Sequence, residues 1–298
     1  MDAGSAGAVA PVQVRITTPL IGLHSFPEDV LALPNGTRIQ RLWGSDLGKV
    51  RDRYRSPFGE LGPYNVEEMS GWNYVLVREM ELEDGAELPR TAGLTDGFDD
   101  VVCALRLLAP GMVRWHIYWT EPLNRDEPAP YSVLSRRPYF TMTRGYLDMN
   151  AEQCARLVPT VKALARREQS IVGHLCDRLE VALRRFDQLR ERREPADRVV
   201  DAWIGLEALV GPRESDGLTN ALSRRIPSLL ADSGEAPSPE RVRDLYRLRC
   251  KLLHGVRVAE DPYFAADEME ELLRRAILAW LDPSCRPKNV RQLDDAPD

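Results

Sequence analysis

The chain is poor in the features that announce most site chemistries. Its five cysteines, Cys103, Cys154, Cys176, Cys250 and Cys285, are odd in number and widely spaced with no CxxC pair, which argues against a disulfide framework or a zinc site and leaves each as a reduced thiol. His24, His116 and His174 sit in no HExxH, HxH or Cys/His spacing, and no Gly-rich phosphate loop is present, so neither a metal nor a cofactor is expected. No apolar run approaches about 18 residues, which excludes a transmembrane helix. Residues 1–10, rich in Ala and Gly with Asp2 as the only charged side chain, lack the basic region and apolar core of a signal peptide. They are expected to be the disordered start of a cytoplasmic protein that does not meet a membrane.

What remains is ample for a core: 298 residues, 43% of them hydrophobic, suit two ordinary domains. Val12, Val14 and Ile16 alternate with Gln13, Arg15 and Thr17, the period of a half-buried strand. Further strands are expected at 73–82, at 113–120 and at 138–143, with a short run at 38–43. Phe98, Val101, Val102, Leu105 and Leu108 recur at helical spacing and stop at Pro110-Gly111, so a helix joins two of the strands. Residues 11–149 therefore read as an α+β domain.

At about residue 150 the pattern becomes helical. Asn150 and Gln153 form a capping box, and Pro159 should kink or break the helix that follows. Apolar stripes then mark helices at 171–193, 197–210, 218–230, 240–253 and 267–281, an antiparallel bundle over 150–282. The Pro- and Asp-rich tail 283–298 is expected to be disordered.

Two charges of the bundle lie where solvation does not explain them. Arg249 follows Leu245 by four and Val242 by seven, on the apolar stripe of its helix, and Glu207 follows Trp203 by four and Val200 by seven on another. A buried carboxylate is costly unless paired. The pair Glu207–Arg249 would either fix register, with breakage costing about 3–5 kcal/mol, or orient Arg249 toward a phosphate. His254 follows about 7.5 Å along the axis at the helix end that Gly255 closes, which would hold guanidinium and imidazole close together. The net charge is −6, yet Glu240 to Arg257 carries six basic residues against two acidic ones. This is either a solvated helix face or a patch for a phosphate backbone.

The blocks Asp201-Ala-Trp-Ile-Gly-Leu-Glu207-Ala-Leu-Val, Leu222-Ser-Arg-Arg225-Ile-Pro-Ser-Leu-Leu230 and Leu245-Tyr246-Arg-Leu-Arg249-Cys-Lys-Leu-Leu-His254-Gly255 resemble the HEPN superfamily, in particular its ApeA-like branch, over residues 171–281. The resemblance implies a helical bundle that dimerises to bring two Arg/His motifs across one cleft. It also implies a metal-independent endoribonuclease of phage defence or of a toxin–antitoxin pair, where an antitoxin or regulatory partner would act. Arg249 and His254 match the catalytic pair. Glu207, Arg225 and Tyr246 match supporting positions, and Arg247, Lys251 and Arg257 would hold RNA. One departure is Cys250, where many nuclease members carry Asn, Asp or His.

Such chemistry suits these residue types. When the 2′-hydroxyl attacks the neighbouring phosphate, the protein supplies neither nucleophile nor metal. An imidazole, with a reference pKa of about 6.5, carries the proton and a guanidinium stabilises the phosphorane. The products would be 2′,3′-cyclic phosphate and 5′-hydroxyl ends. The alternative is a non-catalytic module of the same shape that binds RNA, a nucleotide or a protein, with the ion pair purely structural. In a third reading the α+β half is the working part and the bundle only dimerises it.

Overall fold

The computed structural model describes residues 11–55, 73–82, 93–115, 118–123, 145–212, 217–231, 236–256, 258 and 261–294. The chain divides between Val161 and Lys162 into two compact units.

The first unit is α+β. Strands β1 (Val12–Pro19), β2 (Leu23–Ser25), β3 (Val30–Ala32) and β4 (Thr37–Arg41) precede helix α1 (Gly44–Arg55). Then come β5 (Tyr74–Leu82), α2 (Phe98–Leu108), β6 (Trp119–Pro122), β7 (Leu147–Asp148) and α3 (Ala151–Ala165). Among the described residues five strands form an antiparallel sheet in the order β3-β4-β5-β1-β6, with Ile16 opposite Arg78 on one side and Thr120 on the other. The alternation in β1 buries Val14 and Ile16, and the apolar stripe of α2 is buried as its spacing requires. The strand expected at 113–120 begins later, at Trp119, because 112–114 are engaged elsewhere. Arg114 exchanges backbone hydrogen bonds with Ile21, and the Val113 carbonyl accepts from the buried Arg106 guanidinium at 2.9 Å. Gly111 (φ 108°) lies against Tyr146, whose carbonyl oxygen would sit 2.5 Å from any Cβ there. The strand expected at 138–143 lies outside the described residues, as do residues 1–10.

Asn150 and Gln153 make the reciprocal capping box, each side chain accepting from the other's backbone N–H at 2.9 Å. The helix it starts passes through Pro159 to Ala165 without a break. Buried Leu157, Val161 and Leu164 anchor both sides of the proline, which offsets its cost of about 3 kcal/mol. The unit boundary thus falls inside α3 rather than ahead of it.

The second unit is helical. After the short α4 (Arg167–Ser170) come α5 (Gly173–Glu191), α6 (Pro195–Val210), α7 (Leu218–Leu230), α8 (Pro239–Leu253) and α9 (Pro262–Leu281). Helices α5 and α6 are antiparallel: Arg178 near the start of α5 reaches carbonyls at the end of α6, while Arg185 and Arg192 reach Asp201 near its start. The bundle is not antiparallel throughout. Arg198 pairs with Asp267 and Glu270, and Leu273 packs against Gly205, so α6 and α9 advance in the same sense. The tail also differs from its expected disorder: through Asp294 it is placed, with a 3-10 turn at Val290–Asp294 on α7 and Leu293 buried.

Candidate functional site

Helix α8 opens with Pro239 in its first turn behind Ser238, whose hydroxyl accepts the Arg241 N–H. Its stripe of Val242, Leu245 and Leu248 is buried, and Arg249 follows on the flank of that stripe. The helix closes in a Schellman motif: the Gly255 N–H donates to the Leu252 carbonyl at 3.1 Å and the Val256 N–H to the Lys251 carbonyl at 2.9 Å, with Gly255 at φ 66°. His254 is the residue at that cap.

Glu207 and Arg249 do meet. Their closest approach is 3.9 Å, with side chains 24% and 21% exposed. The contact is long for an ion pair and leaves hydrogen-bonding capacity unused: among the described residues neither Glu207 Oε1 nor Arg249 Nε, both shut off from solvent, has a hydrogen-bond partner. The Arg249 guanidinium lies 5.6 Å from the centre of the Tyr246 ring. Tyr246 in turn meets the buried Trp203 edge-on, and the Trp203 indole N–H donates to the Leu245 carbonyl at 3.3 Å. Trp203 and Tyr246 are thus the wall against which the pair is set.

Burial pushes the Glu207 carboxyl above its ordinary value, and the Arg249 charge only partly offsets it. A carboxyl raised in the folded state contributes most to stability below its unfolded value, near pH 4.3, and that contribution is lost as pH rises through the folded value. Replacing Glu207 by Gln removes this pH dependence. The stability of Glu207→Gln relative to the wild type should therefore rise between pH 4 and 7, measured by urea unfolding. Because the pair is long and half-buried, Glu207→Ala should cost about 1–2 kcal/mol at pH 7, between the surface and buried ranges, rather than the 3–5 kcal/mol of a fully buried pair.

The other expected groups are distributed differently. Among the described residues no hydrogen bond, ion pair or ring contact joins Arg249 to His254. His254 is the cap residue, where the backbone leaves the helix, and it is exposed, whereas Arg249 faces α6 through Glu207. Among the described residues the imidazole has no hydrogen-bond or ion-pair partner. Arg247 is exposed and paired with Asp244 at 2.9 Å, and Lys251 is exposed beside it. Arg257 lies outside the described residues. Arg225 belongs to another part of the unit. It is buried on α7, donates to the Val210 carbonyl at 2.9 Å and grips Asp294 with Nε and Nη2 at 2.8 and 2.6 Å. Asp294 was hidden in a tail whose composition reads as disorder. Among the described residues no group of three His, Cys, Asp or Glu side chains could hold a metal ion, and no helix is long and apolar enough to cross a membrane.

The chain was compared with family models, with curated proteins and with solved structures, and it matches none of them.

Proposed function

We propose that the protein is a metal-independent endoribonuclease of the HEPN kind, working as a homodimer through its C-terminal bundle and leaving 2′,3′-cyclic phosphate and 5′-hydroxyl ends. The observation that carries this reading is the condition of the two motif residues. Among the described residues the Arg249 side chain makes no hydrogen bond, only a 3.9 Å contact with Glu207 and a ring contact with Tyr246, and His254 is exposed without a partner at the end of the same helix. A guanidinium with an unused donor can take a phosphate oxygen, and an unencumbered imidazole can carry a proton. Arg247 and Lys251 add exposed positive charge on the outer side of α8, suited to holding a phosphate backbone. A toxin–antitoxin or phage-defence setting, with a regulatory partner, belongs to the same proposal.

The exposure of His254, which no contact holds toward Arg249 among the described residues, favours a second reading, a non-catalytic module that binds RNA, a nucleotide or a protein. In the nuclease reading a second copy completes the site, so that two Arg/His motifs meet across a two-fold axis. Light scattering at micromolar concentration should return the dimer mass, and total RNA incubated with the protein in EDTA should be cut to cyclic-phosphate ends. A strictly monomeric mass together with intact RNA would leave the binding module as the reading of choice.

A further inference from the structure

The last turn of α6, which carries Glu207, is held from outside the helix. Its terminal carbonyls have lost their helical donors, and two arginines supply replacements. Arg178 Nη1 donates to Ala208 at 2.8 Å and Gly211 at 3.1 Å, and Arg225 Nη1 donates to Val210 at 2.9 Å. The Gly211 N–H closes the turn on the Glu207 carbonyl itself at 2.8 Å. Arg225 is not free to swing, because its other two nitrogens are held by Asp294 in a fork-to-fork pair. Arg224 reaches the same carboxylate at 3.5 Å, and the neighbouring Leu293 is buried as its turn packs on α7.

We propose that the C-terminal segment is a strap that, through Asp294 and Arg225, fixes the last turn of α6 and with it the place of Glu207 beside Arg249. Asp294 is then a positioning residue that acts through Arg225 and touches neither charge of the candidate site. The proposal rests on the reading of Glu207–Arg249 as a functional site, but the mechanical link is a property of the fold and is measurable without RNA. It gives the tail a means of control: whatever draws Asp294 off Arg225 loosens the turn that sets Glu207.

The test is carried out on the full chain by NMR, comparing wild type with Asp294→Asn and Asp294→Glu. It follows the exchange of the Gly211 amide and the titration of the Glu207 side-chain carboxyl, assigned by its loss in Glu207→Gln. Asp294→Asn, which removes the charge of the fork, should speed Gly211 exchange roughly fivefold or more, the scale of one lost hydrogen bond. It should also lower the Glu207 midpoint toward that of an ordinary carboxyl as water reaches the turn. Asp294→Glu should restore most of both, which a tail that merely adds packing would not require. Leu293→Ala, which undocks the strap without altering a charge, should reproduce the Asp294→Asn result and stands in if that variant folds poorly. Loss of protection in the tail amides 290–294 with Gly211 and Glu207 unchanged would overturn the proposal. So would tail amides that stay protected in both variants. Since neither readout involves RNA, a failed cleavage assay and a failed strap are separate results.

Discussion

Replacing Glu270 by alanine should lower the stability of the helical unit by about 3–5 kcal/mol, as removing one partner of a buried ion pair does. Glu270 sits on α9 with its carboxylate 3.2 Å from Arg190 of α5 and 3.0 Å from Arg198 of α6. The side chains are 11%, 2% and 9% exposed respectively. Arg198 keeps a second partner in Asp267, but that carboxylate is largely exposed and neutralises little. Removing Glu270 takes away the carboxylate that the two buried guanidiniums share. In a thermal melt the loss corresponds to a fall in Tm on the order of 10 °C. Glu270→Gln, which keeps hydrogen-bonding oxygen and shape but not charge, should fall between wild type and Glu270→Ala. A loss under about 1 kcal/mol in urea unfolding, with an unchanged m value, would show that the three helices are held by packing alone.

That hub was open to the same reasoning that found Glu207 and Arg249. Glu270 follows Ala266 by four and precedes Ile277 by seven, and Arg190 follows Phe186 by four, so both are charges on apolar stripes. Periodicity reveals such a misplaced charge, but it does not choose among partners on several helices. Glu207 and Arg249 meet because each is a misplaced charge of opposite sign on neighbouring helices. What spacing cannot convey is orientation along the axis. An interval of five residues gives a rise along the helix, but His254 lies at the cap, where helical spacing no longer sets the direction of a side chain.

Elsewhere legibility followed how much of a segment's structure is local. The capping box at Asn150, the Gly255 cap, the alternation in β1 and the stripes of α2 and α5 to α8 are set by near neighbours, and the structure has them. Helix α1 was missed because Leu47, Val50 and Tyr54 are the only large apolar residues among twelve, with Gly44 and Gly48 between polar ones; nothing local argues for a helix there. The tail was misread for a related reason. Its order comes from Leu293 and from a carboxylate gripped by an arginine 69 residues away, and composition carries no trace of a partner so distant.

His254→Ala should abolish RNA cleavage while leaving RNA affinity nearly intact. The side chain is exposed and without a partner among the described residues, so its removal should change stability by no more than about 0.5 kcal/mol. Any loss of rate then belongs to chemistry and not to folding; loss of a proton carrier is worth about 10²- to 10⁴-fold. Arg249→Ala should impair both binding and rate, because it removes a phosphate contact together with transition-state charge stabilisation, and it also strips Glu207 of its counter-charge. The last effect is separable. In the double variant Glu207→Gln, Arg249→Ala no half-buried carboxylate is left unpaired, so stability should recover while cleavage does not. Arg249→Lys keeps a positive charge near Glu207 but loses the planar fork, and should regain binding better than rate. Every cleaving variant should do so in EDTA. Cleavage that persists in His254→Ala, or that requires added Mg²⁺, would remove the imidazole from the mechanism and leave the exposed face of α8 as a binding surface.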